Sequence, residues 1–252
     1  RPGWHTECVV MINSIFNSKI DIHGGGIDLK FPHHDNEIAQ AEAAFHHHLA
    51  NYWMHNGRVD MQGEKMSKSL GNVVMADEAI ERMGYQAFRL MMLNVPYRQP
   101  LNYREELVEQ VTIEFDKIWR TNYSLFRKLQ LDYNEVNYNC HITSEELLGL
   151  DDEFVAACAD DFNTPNAITI IHKLVKSANN ALRGKSMSLN LLKEYLCLLN
   201  KFLWVLGMDK KLEPLHDEDL EIVKKWQDAR EKKDFTNADK YRELINQRGL
   251  II

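Results

Sequence analysis

The sequence predicts an α/β segment followed by an all-α remainder. Three observations carry that prediction. Residues 1–100 are rich in Gly, His and aromatic residues and break into short apolar runs between polar ones, the texture of strands alternating with helices. Beyond Asn102, apolar residues recur at three- and four-residue steps, the period of amphipathic helices. A charged linker containing Pro214, Lys210 to Asp217, then sets off a last pair of helical segments. The 252 residues, 44% hydrophobic and 27% charged, are ordinary for a soluble globular protein and suffice for one large domain or two to three small ones.

The elements follow in order. Cys8-Val9-Val10-Met11-Ile12, bounded by polar residues, reads as a short buried strand. Asp21 to Gly26 reads as a strand running into a glycine loop, and Pro32 stands ahead of a helix over Asn36 to Ala50. Tyr103 to Gln130 carries Leu107, Val111, Phe115, Ile118, Trp119 and Leu125 on one helical stripe. The polar, Asn-rich stretch Tyr133 to Ile142 reads as a loop. Asp151 to Asp161, Thr164 to Arg183 and Leu189 to Leu206 read as three more helices, with Thr164 as N-cap before Pro165 and Gly207 at a C-terminal cap. Four helices on short links predict an antiparallel bundle. Asp219 to Lys233 and Phe235 to Arg248 predict a helical hairpin as a small separate module. The domains expected are therefore 1–100, 101–209 and 210–252.

The net charge of -7 does not announce a nucleic-acid binder, although binding depends on local basic patches rather than on the total. Cys8, Cys140, Cys158 and Cys197 are scattered, which points to reduced thiols in a cytoplasmic protein. No apolar run approaches the roughly 20 residues that span a bilayer, so no membrane contact is expected. No leader-like segment precedes Arg1, whose surroundings read like the middle of a domain.

Three features carry chemistry. His33 and Glu37 are four residues apart, so a helix beginning near Pro32 puts both on one face, and with Cys8 they offer a thiolate, an imidazole and a carboxylate. Spacing alone favours a plainer reading, a core cysteine beside solvated helix residues. His34 points to another face and supports structure, and His46-His47-His48 reads as solvated helix surface. Gly24-Gly25-Gly26 is open to two readings, a flexible turn or a backbone approached closely by a nucleotide. Glu64-Lys65-Met66-Ser67-Lys68-Ser69, followed by Gly71, reads as a mobile cationic loop able to close over a triphosphate, or as an exposed basic turn.

The order of these motifs resembles one family. Lys-Met-Ser-Lys-Ser at 65–69 is the second signature of class I aminoacyl-tRNA synthetases. Asp21 to Gly26, then Asp28-Leu29 and Phe31-Pro32-His33-His34-Asp35-Asn36-Glu37, resembles the cysteine-specific member. Gly3-Trp4-His5-Thr6-Glu7-Cys8, Asn51-Tyr52-Trp53-Met54-His55, Leu101-Asn102-Tyr103 and Asp160-Asp161-Phe162-Asn163-Thr164-Pro165 extend the likeness over nearly the whole chain. Ordered motifs at matching spacing overturn the plainer reading of the metal ligands.

The resemblance implies the C-terminal part of a Rossmann-like class I catalytic domain, then a DALR-like helical bundle, then an anticodon-binding module cut short. It implies one Zn2+ per subunit on Cys8, His33 and Glu37, and ATP with Mg2+ as substrate. Lys68, supported by Lys65, is the implied catalytic and ATP-contacting residue. His23 with Gly24, Gly25 and Gly26 is implied for the nucleotide, and Trp4, His23 and Asp28 for the substrate. Expected partners are L-cysteine, ATP and tRNA(Cys), for a monomer that joins cysteine to tRNA through cysteinyl-adenylate. The family's fourth zinc ligand, a cysteine beside its His-Ile-Gly-His signature, has no counterpart in this chain, which by itself is expected to be inactive. Two alternatives stand beside this reading: a cysteine:aminosugar ligase of mycothiol synthesis, against which the helical hairpin argues, and a non-catalytic tRNA-binding module. In that hairpin Lys224, Lys225, Arg230, Lys232, Lys233, Lys240, Arg242 and Arg248 are the expected RNA contacts, while Trp226 and Phe235 read as the hairpin's own small core.

Overall fold

Backbone pairing in the computed structural model begins with two parallel strands. β1 (Ile20–Gly26) and β2 (Ala50–Asn56) run side by side, with Ile20 opposite Ala50 and Gly26 opposite Asn56. Parallel neighbours need a crossover, and the link between them contains the helix Asp35–Phe45. The structure describes residues 3–17, 19–67, 71–184, 187–248 and 250. The chain divides into two compact units, Arg1–Met75 with Val95–Glu105, and Ala76–Asn94 with Glu106–Ile252. The boundary expected at residue 100 is thus not a single cut. Ala76–Asn94 goes with the helical unit, where the Leu93 carbonyl accepts from Thr164 Oγ1 at 2.7 Å and the Tyr85 hydroxyl donates to the Asp209 carbonyl at 2.6 Å. The hairpin also falls within that unit.

The first unit opens with a helix, α1 (Trp4–Phe16), where a strand was expected around Cys8. Gly3 caps it in an extended conformation, and Asn17 ends it in the left-handed region at φ 48°. Helical period explains the burial: Val9 is buried and Ile12, one turn on, packs on the same core, while Val10 and Met11 face outward. A five-residue apolar run cannot reveal its period. That core is small, made of Val9, Ala41 and Leu49 with Ile12, Phe45 and Trp53 against them.

After β1 come a short 3-10 turn, Ile27–Leu29, and a wide turn, Lys30–His34, in which Phe31 is extended. They deliver the chain to α2 (Asp35–Phe45), which stops where His46 turns left-handed at φ 57°, not at Ala50. The histidine triplet therefore follows the helix, and His48 pairs with Glu42 on the surface at 2.8 Å. The three glycines also differ from expectation. They stand inside β1 rather than in a loop, with none at positive φ. A second sheet runs in the order β4 (Glu64–Lys65), β3 (Val59–Met61), β5 (Leu101–Tyr103). β3 and β4 are antiparallel about Gln62-Gly63, at φ 51° and 86°, the double positive φ that suits a two-residue hairpin.

In the second unit, α3 (Ala76–Met83) and α4 (Tyr85–Leu93) precede four long helices: α5 (Glu105–Tyr133), α6 (Glu145–Ala159), α7 (Thr164–Leu182) and α8 (Leu189–Val205). The α5 stripe buries Val111, Phe115, Ile118, Trp119 and Leu125, as its period predicts. Phe154 of α6 stacks on Phe202 of α8 at 4.0 Å. Asn163, one residue before the expected Thr164, caps α7, its side chain accepting from Asn166 N at 3.3 Å. Gly207, at φ 66°, follows the end of α8.

α9 (Asp217–Glu231) and α10 (Phe235–Gln247) form the hairpin. Its core is Leu215, Val223 and Ile245 with Trp226 against them. Phe235, expected in that core, is 74% exposed at the start of α10. Gln130 of α5 holds the preceding linker twice, accepting from Leu215 N at 3.0 Å and donating to the Leu215 carbonyl at 2.9 Å. Among the described residues no helix is long and apolar enough to cross a membrane.

Candidate functional site

The parallel register of β1 and β2 sets His23 opposite Trp53 and Gly25 opposite His55. Residues two apart share a face, so these four positions form one patch. Against it lies the start of α2. A side chain at Gly25 would crowd its neighbours, because a Cβ there would stand 3.0 Å from the His34 ring and from Leu29 Cδ1, and both would have to give way. The glycine serves the approach of His34 rather than a turn.

His33 and Glu37 lie one helical turn apart, and α1 brings Cys8 to them. Cys8 Sγ is 3.7 Å from His33 Nε2, and His33 Nε2 is 2.9 Å from Glu37 Oε1. The ligand atoms of all three lie within 4.8 Å of one another. Bond lengths of about 2.3 Å to sulfur and 2.0–2.1 Å to nitrogen put those two atoms about 3.6 Å apart in a tetrahedral zinc shell. Glu37 is fully buried; its Oε1 touches His33 Nε2 at 2.9 Å without forming a well-aligned hydrogen bond, and His33 Nδ1 has no hydrogen-bond partner. Buried polar atoms are rarely left so. A sulfur, a nitrogen and a buried carboxylate oxygen gathered this closely are donor types that suit a zinc ion.

The other Glu37 oxygen is engaged: His23 Nε2 donates to Oε2 at 2.7 Å. Burial pushes the Glu37 carboxyl up, but that hydrogen bond and the charges of His23 and His33 outweigh it, so the net shift is downward. Burial pushes the Cys8 thiol up, and the Glu37 carboxylate beside it pushes further the same way. Burial holds His34 and His55 below the ordinary imidazole value, and His34 Nδ1 and His55 Nε2 are hydrogen-bonded at 2.8 Å. His23, His34 and Glu37 also cluster within 4.8 Å. In that second set His23 is committed to Glu37 and His34 to His55, so it supports the first set rather than competing for an ion.

Other expected residues fall as follows. Trp4, 61% exposed, lays its ring edge-on to His33 at 4.4 Å. Asp28 is exposed in the turn after β1. Lys65 is exposed in β4, paired with Asp60, so it belongs to a hairpin strand rather than a loop. Lys68 lies outside the described residues. The approach to it is tied by Asn72, which accepts from Ser67 N at 2.9 Å and donates to the Lys65 carbonyl at 3.3 Å. Sequence reasoning assigned no role to Trp53 or His55, whose alternation along β2 was the available signal. It also gave His23 to substrate and nucleotide, not to Glu37.

In the helical unit, α5, α9 and α10 line a groove of about 1020 Å³. Arg120, Arg230, Arg242, Phe235 and Asp239 face it, and Arg230 lies over the Trp226 ring at 4.7 Å.

Comparison with known proteins gives likenesses to two families. Residues 1–113 match the class I (C) tRNA synthetase catalytic domain, and residues 153–210 match the DALR domain. The whole chain is 41% identical to the cysteine–tRNA ligase of Acholeplasma laidlawii and 39% identical to that of Staphylococcus aureus strain MRSA252. It spans 54% of the length of each, about half of these curated relatives. Among solved structures it is similar to Agrobacterium radiobacter K84 agnB2 LeuRS in a ternary complex with tRNA and LeuAMS. That likeness has a TM-score of 0.58 at 21% identity over 79% of this chain and 29% of that one, a likeness of fold. The chain is thus similar, through residues 1–113, to the class I (C) tRNA synthetase catalytic domain and, through residues 153–210, to the DALR domain.

Proposed function

We propose that the protein carrying this chain activates L-cysteine with ATP and Mg2+ and transfers the cysteinyl group to tRNA(Cys). The observation that carries this reading is the gathering of Cys8 Sγ, His33 Nε2 and the buried Glu37 Oε1 within 4.8 Å of one another, in a chain similar along its length to cysteine–tRNA ligases. Cys8, His33 and Glu37 would hold zinc and leave a position for the substrate sulfur. Bound there, the ion supplies a sulfur-preferring Lewis acid that favours the thiolate form of the substrate. Selection against serine follows from that donor preference, whereas an apolar pocket separates methylene-sized differences by only about 10–200-fold.

Trp4 flanks the site through its contact with His33, and Asp28, exposed in the turn after β1, would contact the substrate. Gly24, Gly25 and Gly26 are read as the nucleotide contact because they end β1, and nucleotides dock at the carboxyl ends of parallel strands. Lys65 and Lys68 would bring positive charge to the reacting phosphate, with Asn72 donating to the Lys65 carbonyl. The groove of α5, α9 and α10 suits RNA: exposed Phe235 offers a ring for a base, and three arginines face the phosphates. The four cysteines are free thiols, in keeping with a cytoplasmic setting, and a monomer is the expected state.

The test is cysteine-dependent ATP–pyrophosphate exchange and tRNA(Cys) charging by the full-length protein, with and without a zinc chelator. Both activities should be present, and both should vanish on chelation. Exchange that survives complete metal removal would end the zinc reading. Exchange without tRNA charging, with an aminosugar accepting the cysteinyl group, would replace tRNA as acceptor.

A further inference from the structure

Resting on the zinc reading, we infer that His23, braced by Trp53, is a positioning residue that makes Glu37 a one-oxygen ligand. A carboxylate next to a metal can bind through one oxygen or both. Glu37 is buried, so its choice is not left to water. His23 Nε2 donates to Oε2 at 2.7 Å, and Oε1 is left beside His33 Nε2 and Cys8 Sγ. The donor on Oε2 removes that oxygen from competition and turns Oε1 toward the sulfur and nitrogen. A carboxylate that spends one oxygen on the ion keeps a coordination position open for a second sulfur.

His23 could not do this if its ring were free to turn. Strand β1 pairs it with Trp53, whose ring stands at 80° to it with centroids 4.7 Å apart. His34 closes the other flank at 4.9 Å. Trp53 also packs on the apolar cluster of Val9, Ala41 and Leu49, so the brace is anchored in the core of the unit. Contacts of a ligand's partner commonly govern metal affinity about 10–100-fold.

The experiment uses the full-length protein with Zn2+ and Co2+ as probes, measuring metal affinity by chelator competition and coordination by the visible spectrum of the cobalt form. Variants are His23→Ala, which removes the donor, His23→Gln, which keeps an N–H, and Trp53→Leu, which removes the brace. His23→Ala should lose about 10–100-fold in Zn2+ affinity and show a cobalt spectrum of raised coordination number. His23→Gln should recover most of both, and Trp53→Leu should fall between. Wild-type affinity and an unchanged cobalt spectrum in His23→Ala would overturn the positioning role while leaving the zinc site standing. An equal loss in His23→Ala and His23→Gln would also overturn it, since the donor would not be what matters. A wild-type protein that binds neither ion would overturn the zinc reading, and this inference with it.

Discussion

In the helical unit Glu194 is 2% exposed and its carboxylate is saturated, accepting from Thr143 N, Thr143 Oγ1, Ser144 N and Asn190 Nδ2. In the α/β unit Glu37 is fully buried and one of its oxygens, Oε1, has only a poorly aligned contact with His33 Nε2 at 2.9 Å. The same side chain thus does two jobs. Glu194 ties the loop before α6 to α8 and asks for no further partner. Glu37 leaves Oε1 without a well-formed hydrogen bond, and the fold holds it beside a thiol and an imidazole. Among the described residues, the unpartnered buried side-chain atoms, His33 Nδ1 and Glu37 Oε1, both lie in that one cluster. Buried polarity that is complete marks scaffold, and buried polarity that is incomplete marks a place a ligand finishes.

The strongest way to break this contrast is to remove a ligand. Cys8→Ala and Glu37→Ala in the full-length protein should each take bound zinc from one per chain to none, measured by mass spectrometry. Loss of a ligand is expected to exceed the roughly 10–100-fold penalty for losing a ligand's partner. Undiminished zinc in both variants would make the unpartnered oxygen a matter of packing alone.

A core deletion in the helical unit should separate stability from metal. Phe202 is fully buried and stacked on Phe154, so Phe202→Ala should cost about 3–5 kcal/mol in urea denaturation followed by circular dichroism. Zinc content at low denaturant should be unchanged. A smaller effect, about 1–3 kcal/mol, is expected for Glu194→Ala, because the amides of Thr143 and Ser144 lose their acceptor. Metal loss in either variant would show that the two units are not independent in this respect.

Much of the helical unit was legible because its signal is periodic and long. The α5 stripe repeats over seven turns or so, and caps at Asn163 and Gly207 fall within a residue of where their chemistry suggests. The α/β unit was read less well for definite reasons. Cys8 to Ile12 is one apolar run, too short to separate strand from helix, and Gly24 to Gly26 carries the letters of a loop while serving as a strand. What favours glycine is the His34 ring close to Gly25, a contact across the fold that local sequence does not contain. The ligand residues were legible through ordered motifs. The bond from His23 to Glu37 was not, since it depends on which oxygen α2 turns toward β1.

The smallest effect sharpens the rule about completed polarity. Asn122 and Asn200 face each other across the helical core, each amide donating to the other's oxygen at 3.0 Å, and Asn200 Nδ2 also reaches the Leu196 carbonyl at 2.7 Å. Either residue changed alone to Leu strands its partner's amide and should cost about 1–3 kcal/mol. Changing both removes donor and acceptor together, and the pair Asn122→Leu with Asn200→Leu should lie within about 1 kcal/mol of wild type, because replacing both partners by apolar groups is nearly neutral. A double-mutant cycle in urea denaturation measures this directly. A sizeable coupling energy means the pair matters as a completed bond, the scaffold behaviour assigned to this unit. Two additive losses would mean that each amide serves some other partner. The distinction between complete and incomplete buried polarity would then have to rest on Glu194 and Glu37 alone.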